Sequence, residues 1–177
     1  MIFIDCGAYK GKALNWARLK FDNPKLYAFE CNPHLSKVDY GSDVTVIRKA
    51  IWITDGNLRF YMNTRHPLIE GHSVYKDKTT GNIDKEHPVV VQCIDFSKFL
   101  FSLEKDEIVI KMNVEGAEYD VLEHCVNTGA INLINQLHIQ WHYHKIPRME
   151  DRHIKLQKNL KEIKTLKIFN GYGKLKS

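Results

Sequence analysis

The chain has 177 residues, of which 44% are hydrophobic and 27% charged, and a formal net charge of +5. This composition excludes a disordered chain, and the length suits one well-buried domain over residues 1–177 better than two. No apolar run approaches the ~18 residues of a membrane-spanning helix, and the first residues lack the basic region of a signal peptide, so we expect no membrane span.

The first third of the chain alternates between strand-like and helix-like patterns. Its predicted elements are a strand in IFID, a helix from about Ala13 to Lys20, a strand in KLYAFE after the turn at Asn23-Pro24, and a strand in VTVIRKAIW after Gly41. Strands and helices that alternate over short connections predict a parallel sheet with helices on its faces.

The middle of the chain breaks this alternation. GNLRFYMN and HPVVVQCID both have strand patterns, without a helical pattern between them, and residues 64–87 are rich in Gly, His, Lys and Thr. We predict a hairpin-like element or long loop over the sheet, inserted at about residues 62–88. Loops of this length in a compact domain usually have a role in binding or catalysis.

The alternation then resumes. The predicted elements are a strand in DEIVIKMNVEG, a helix in AEYDVLEHCVNTG, a strand in INQLHIQWHY, a helix in MEDRHIKLQKNLKEI and a short strand in TLKIF. Gly129 suits the left-handed position after the first helix, and Ile154, Leu156, Leu160 and Ile163 form one side of the second. The predicted fold class is α/β, with a doubly wound, mostly parallel sheet and helices on both faces.

A glycine turn follows the first strand, in MIFIDCGAYKGKAL. A dinucleotide-binding G-x-G-x-x-G would need glycines in place of Tyr9 and Lys12, and a P-loop would need a longer spacing and Ser or Thr in place of Ala13. What remains is Asp-x-Gly-x-x-x-Gly, followed by an acid, Glu30, at the end of the next strand. Because such glycines admit a ligand close to the backbone and such an acid can accept both ribose hydroxyls, this spacing resembles that of the class I methyltransferases that bind S-adenosylmethionine.

Five stretches resemble, in order and spacing, the conserved blocks of the FkbM-type methyltransferases. They are FIDCGAYKG, YAFECNP, RKAIWITDGNLRFY, VQCIDFSKFL and IVIKMNVEGAEYDVLEH. The resemblance runs from about Ile2 to His142, and KMNVEGAE is its most specific motif. It implies a Rossmann-like fold and an S-adenosylmethionine-dependent O-methyltransferase that acts on a hydroxyl of a sugar or glycan. This fold also ends in an antiparallel strand, for which NGYGKLKS remains.

The same resemblance implies which residues contact the cofactor S-adenosylmethionine. The residues implied at its methionine end are Asp5, Gly7, Ala8 and Gly11. Those implied at its ribose are Glu30, Cys31 and Asn32, and those implied near its adenine are Ala50 and Ile51. Further candidates are Ser73, in EGHSVY, and Asn113, in KMNVEGAE.

The KMNVEGAE block also carries the implied catalytic residues. Asn113 stands where the family pattern has Asp, and an amide can neither take a proton nor give a metal a full negative charge. Glu115 is therefore the predicted base and Glu118 the second candidate, although both also suit a helix N-terminus. Lys111 would face the same side of the strand and act on a substrate hydroxyl or orient a carboxylate, unless it simply reaches solvent.

Histidines follow in LHIQWHYH, where His138, Gln140, His142 and His144 share one face of a predicted strand. His142 is a predicted base or metal ligand, and the alternative is a set of ordinary polar residues at the edge of the sheet. The ligands of a divalent Mg or Mn ion, if one is bound, would be Glu115, Glu118 and His142.

The expected partner is a small-molecule or glycan acceptor, and two rival functions remain. One is an RNA ribose methyltransferase that grips phosphates with residues 152–177, which carry eight basic side chains and one acid. Lysines at every third position spread around a helix, which favours a solvated face over a nucleic-acid surface. The other rival, suggested by Asn113, is a catalytically degenerate module that binds the cofactor. The oligomeric state is open, with a homodimer as one candidate.

Cysteine spacing bears on the cellular compartment. Cys6, Cys31, Cys93 and Cys125 lie far apart, and none belongs to a C-x-x-C pair. This spacing is typical of packed, reduced thiols. We therefore expect a cytoplasmic protein.

Overall fold

The computed structural model describes residues 1–171, and a six-stranded sheet lies at the centre of these residues. Its strands, in spatial order, are β3 (Val44–Ile47), β2 (Lys25–Phe29), β1 (Ile2–Cys6), β7 (Ile108–Met112), β8 (Gln136–Ile139) and β9 (Lys167–Asn170). Each neighbouring pair is parallel. The predicted parallel sheet is confirmed.

Helices cover both faces of this sheet. They are α1 (Lys12–Lys20), α2 (Phe96–Ser102), α3 (Glu118–Thr128) and α4 (Glu150–Lys161). Side chains of β1 alternate between the faces: Phe3 packs with Leu14 of α1, whereas Ile2 and Ile4 belong to the core that contains Leu122 of α3. Because both faces of β1 are buried, its sequence is an apolar run and not an alternating pattern.

A smaller sheet lies beside the first. It consists of β4 (Ala50–Trp52), β6 (Val89–Asp95) and β5 (Gly56–Phe60) in that spatial order, with β4 parallel and β5 antiparallel to β6. The prediction of one strand in VTVIRKAIW is therefore wrong, because β3 and β4 belong to different sheets. The guanidinium of Arg48, between them, donates hydrogen bonds to the carbonyls of Leu35 and Val38 and holds the chain where it leaves the main sheet.

Residues 61–88 connect β5 to β6 at the position where the sequence predicts an insertion, and we call them the 61–88 segment. They contain an isolated antiparallel bridge between Tyr61 and Ser73, whose backbone groups exchange hydrogen bonds of 2.7 and 3.0 Å. This bridge folds the segment back on itself. The assignment of residues 1–177 to one domain stays a prediction.

Two further expectations change at the carboxyl-terminal end, and a third is not tested. β8 stops at Ile139 and is followed by a 3-10 turn (Tyr143–Lys145), so the predicted strand face that includes His142 and His144 does not exist. Ile154 is 61% exposed, because only Leu156 and Leu160 of α4 face the core. The antiparallel strand expected in NGYGKLKS falls almost entirely outside the described residues. Within residues 1–171, no helix has the length and apolar character needed to cross a bilayer.

Candidate active site

Three strand ends meet at one edge of the main sheet. Cys6 of β1 is in register with Phe29 of β2 and Met112 of β7, so the residues that follow these strands come together. The strand order reverses between β1 and β7, and doubly wound sheets bind ligands at such switch points. A cavity of about 440 Å³ opens here, within the range of ~300–1,000 Å³ that is usual for small-molecule sites.

Most of the predicted site residues line this cavity. Those that do are Gly7, Ala8, Glu30, Cys31, Asn32, Ala50, Ile51, Lys111, Asn113 and Glu115. The others are buried but do not line it, and they are Asp5, Gly11, Ser73, Glu118 and His142. The elements that follow β1, β2 and β7 therefore contribute side chains to one space, together with β4 from the smaller sheet.

The glycine turn needs its glycines for backbone reasons. Gly7 has a φ of 79°, and a Cβ atom there would lie 2.2 Å from the carbonyl oxygen of Asn113. Gly11 has a φ of 76°, and its Cβ atom would lie 2.9 Å from the ring of Tyr40. Only glycine permits this left-handed backbone in so little space, so the turn can approach the end of β7 closely.

Glu30 holds the glycine turn through its carboxylate. One oxygen accepts a hydrogen bond of 2.8 Å from the backbone N–H of Tyr9, and the other accepts one of 2.8 Å from that of Asn32. Burial raises the pKa of the Glu30 carboxyl, although these two hydrogen bonds oppose the shift. Each carboxylate oxygen keeps further acceptor capacity for a ligand in the cavity.

Lys111 also stabilises the glycine turn. Its ammonium lies 2.7 Å from Asp5 Oδ1 and donates a hydrogen bond of 2.6 Å to the carbonyl of Gly7. Lys111 is 7% exposed, so the alternative of a lysine that reaches solvent is wrong. Burial raises the pKa of Asp5, and the nearby Lys111 charge limits that rise.

Asn113 presents an open hydrogen-bond acceptor. Its backbone N–H donates to the carbonyl of Cys6 at 3.0 Å, which continues the pairing of β7 with β1. Its buried side-chain oxygen receives no hydrogen bond from the described residues. Because Asn113 lines the cavity, this oxygen can accept a hydrogen bond from a ligand.

Glu115 is surrounded by cations. Its Oε2 atom lies 3.0 Å from Lys78 Nζ and 3.1 Å from Lys145 Nζ, and its Oε1 atom lies 3.3 Å from His142 Nε2. Burial alone would raise the pKa of the Glu115 carboxyl, but His142 and Lys78 outweigh it and hold the pKa well below its usual range. Glu115 is therefore ionised at neutral pH and is a weak base in the absence of substrate.

His142 lies behind Glu115 and is fully buried. Its Nδ1 atom is 3.0 Å from Glu118 Oε1, and Glu118 in turn accepts the backbone N–H groups of His142 and Gly116, each at 2.8 Å. Burial would lower the pKa of His142, but the carboxylates of Glu115 and Glu118 outweigh it and raise the pKa. The two acids thus favour the protonated form of His142.

This arrangement does not fit a metal ion. Both ring nitrogens of His142 face carboxylates, so the imidazole offers no free lone pair to a metal. Across residues 1–171, no group of three or more His, Cys, Asp or Glu side chains is arranged to hold a metal. The predicted ligand set of Glu115, Glu118 and His142 forms an ion-pair network instead.

Several cavity residues escaped the sequence analysis. They are Tyr9, Lys10, Lys12, Lys49, His72 and Val74. The first three belong to the glycine turn and the start of α1, so their position could have been inferred from the motif. His72 had no such signal; burial lowers its pKa, and its ring hydrogen-bonds with the backbone of Asn63 and Pro67.

The doubly wound sheet, the glycine turn and the acid after β2 together define a Rossmann-like fold of the methyltransferase type. A family model, the methyltransferase FkbM domain, matches residues 5–164, and the chain belongs to this family. The resemblance drawn from the five sequence blocks is confirmed. Neither the curated proteins nor the solved structures contain a match to the chain.

Proposed function

We propose that this protein is an S-adenosylmethionine-dependent O-methyltransferase that methylates a hydroxyl group of a sugar or glycan. The observation that carries the proposal is the position of Glu30, a buried carboxylate at the switch point that lines the cavity and contacts the glycine turn. A carboxylate with free acceptor capacity suits the two hydroxyls of a ribose.

The remaining cavity wall also suits this cofactor. Gly7 keeps the turn free of a side chain, Ala50 and Ile51 offer an apolar surface for adenine, and the Asn113 oxygen can accept a hydrogen bond from an ammonium or hydroxyl group. When bound, S-adenosylmethionine supplies a methyl group on a positively charged sulfur, which reacts by in-line displacement. The protein then mainly has to align the acceptor and exclude water.

The 61–88 segment supports water exclusion. The hydroxyl of Tyr9 donates to the carbonyl of Leu68 at 3.0 Å, and the side chain of Asn32 donates to that of Pro67 at 2.9 Å. These bonds tie the segment to the glycine turn and to the end of β2. The segment thereby covers one side of the cavity with Gly71 and His72.

Glu115 is the proposed acceptor of the proton. As the hydroxyl oxygen bonds to the methyl carbon and sulfur keeps the electron pair of the broken bond, the hydroxyl becomes far more acidic. A carboxylate of low pKa can then take its proton and release it to solvent. We assign Lys111 and His142 to positioning, since Lys111 braces the glycine turn and His142 lies behind Glu115.

A calorimetric titration of S-adenosylmethionine tests the proposal. Glu30→Ala should weaken binding by about tenfold or more, which corresponds to roughly 1.4 kcal/mol. Glu70→Ala is the matched control, because Glu70 lines the same cavity but is exposed. Absence of wild-type binding in a folded protein, or equal losses in both variants, would count against the cofactor assignment. Methylation assays on a panel of sugars would then test the acceptor class.

A further inference from the structure

Lys78 is a lysine of the 61–88 segment whose side chain is fully buried. Removing an ammonium group from water is costly unless it is paired and hydrogen-bonded. Burial lowers the pKa of Lys78, and the charge of Glu115 opposes this effect. An ammonium group at this position therefore needs surroundings that compensate for the lost water.

An oxygen cage provides that compensation. The ammonium donates hydrogen bonds to the carbonyls of Gly71 and Thr80 and lies 3.0 Å from Glu115 Oε2. The cage closes because Gly81 lacks a side chain: its Cβ atom would lie 2.7 Å from the carbonyl oxygen of Gly71 and 3.3 Å from Lys78 Nζ. The segment is thus shaped around this one cation.

The cage joins two walls of the cavity. Gly71 lines the cavity from the 61–88 segment, and Glu115 lines it from the turn between β7 and α3. Among the three cations around Glu115, Lys78 alone comes from that segment. Ser73 adds a parallel link, because its hydroxyl donates to the backbone carbonyl of Glu115 at 2.7 Å.

We infer that Lys78 is a positioning residue of the active site: through its ammonium, it fixes the Glu115 carboxylate against the carbonyl of Gly71 and sets the width of the cavity between them. Glu115 has a φ of 52°, which is unfavourable for a residue other than glycine, so its conformation depends on such contacts. The inference rests on the proposed function for the identity of the ligand, but not for the link between the two walls.

Lys78→Met tests this role, because methionine keeps much of the side-chain volume and removes the charge. Lys76→Met is the matched control on the same segment, since Lys76 is half exposed and pairs with Glu86 at 3.2 Å. We expect Lys78→Met to weaken S-adenosylmethionine binding by about tenfold, as is usual when a buried charged partner is lost. Lys76→Met should change it by less than about twofold. Equal affinities of Lys78→Met and wild type would overturn the inference.

Chemical rescue separates positioning from general stability. Lys78→Ala removes three carbons and the ammonium group, which propylammonium can replace in the vacated space. Propylammonium should restore part of the lost affinity, whereas sodium chloride at equal ionic strength and propanol should not. Rescue by propanol as well would show that the lost volume matters and the charge does not.

Hydrogen exchange keeps the inference testable apart from the proposed function. In Lys78→Met, amides of residues 71–81 should exchange faster than in wild type and in Lys76→Met, whether or not S-adenosylmethionine binds. If wild type binds no S-adenosylmethionine but this difference appears, the proposed function fails and the link stands. If Lys78→Met does not fold, the double variant Lys78→Met/Glu115→Gln removes both members of the pair and is compared with Glu115→Gln, which also lacks the partner of Lys145 and His142. Equal exchange of residues 71–81 in these two variants would overturn the inference.

Discussion

The chemistry of Glu115 depends on neighbours that are distant in sequence. Glu115 follows a buried strand, as a catalytic acid would, yet three cations from residues 78, 142 and 145 surround its carboxylate. These charges keep it ionised and restrain it, so in the proposed function it would receive a proton only once the acceptor hydroxyl has become acidic. The place of Glu115 in the KMNVEGAE motif was therefore not enough to predict its acid–base behaviour.

Gly7 should tolerate no side chain. Gly7→Ala would combine a left-handed backbone with a Cβ atom 2.2 Å from a backbone oxygen. Gly129→Ala is the control, since Gly129 has a φ of 81° and its nearest neighbour would be 4.0 Å away. Backbone strain should cost about 1–2 kcal/mol in both variants, and the clash a further ~1–3 kcal/mol in Gly7→Ala alone. Urea unfolding measures the free energy of unfolding of both variants. Equal losses of stability would mean that the glycine turn can move away from β7.

His142 should make stability depend on pH. Because its pKa is raised in the folded protein above the ordinary 6.5, its stabilising effect is complete below that pH and is lost as pH rises through the folded-state pKa. The unfolding free energies of wild type and His142→Gln should therefore converge as the pH rises above 6.5. Other histidines are present in both proteins, so their titration cancels in the difference. A difference that stays constant over this range would mean that His142 is not held as a cation.

The helix α2 was not predicted from the sequence. It spans seven residues, Phe96–Ser102, too few for a clear helical period, and it begins directly after β6. Asp95 caps it, because its side chain accepts the backbone N–H of Lys98 at 3.1 Å and also lies 3.1 Å from His124 Nε2. The cap at Asp95 and packing against α3 therefore stabilise α2, although its sequence has no clear helical period.

Removal of this cap should destabilise the protein. Asp95→Ala should cost about 1–2 kcal/mol in thermal or urea unfolding, because an N–H group of the first turn loses its acceptor. Asp95→Asn should retain most of the stability, since asparagine caps helices about as well as aspartate. If the asparagine variant loses as much as the alanine variant, the charge of Asp95 beside His124 and Lys98, and not the cap, would be the main contribution.

At the scale of the whole molecule, the cavity is built from both sheets and the 61–88 segment, so a ligand in it should stabilise all of them together. S-adenosylmethionine at 100 times its dissociation constant should add about 2.7 kcal/mol and raise the melting temperature by roughly 5–10 °C. Differential scanning calorimetry measures this shift. At the same ligand concentration, a tenfold weaker affinity in Glu30→Ala should reduce the stabilisation to about 1.4 kcal/mol, roughly half of the wild-type value. A shift of equal size in Glu30→Ala would place the ligand elsewhere.

Local patterns in the sequence determined the strands and the turn that position the candidate site. The buried runs of β1, β2 and β7, the glycine turn and the acid at Glu30 are encoded within a few residues each, because strand burial and left-handed turns depend on near neighbours. From these, the parallel sheet and the part of the cavity formed by the glycine turn and Glu30 could be predicted, and the resemblance of five sequence blocks indicated the family. Tertiary structure decided what depends on packing between distant segments: the split of VTVIRKAIW at Arg48, the burial of His142 and the cage of Lys78. These contacts join residues far apart in the chain, and a pattern of nearby residues contains no information about which of them meet.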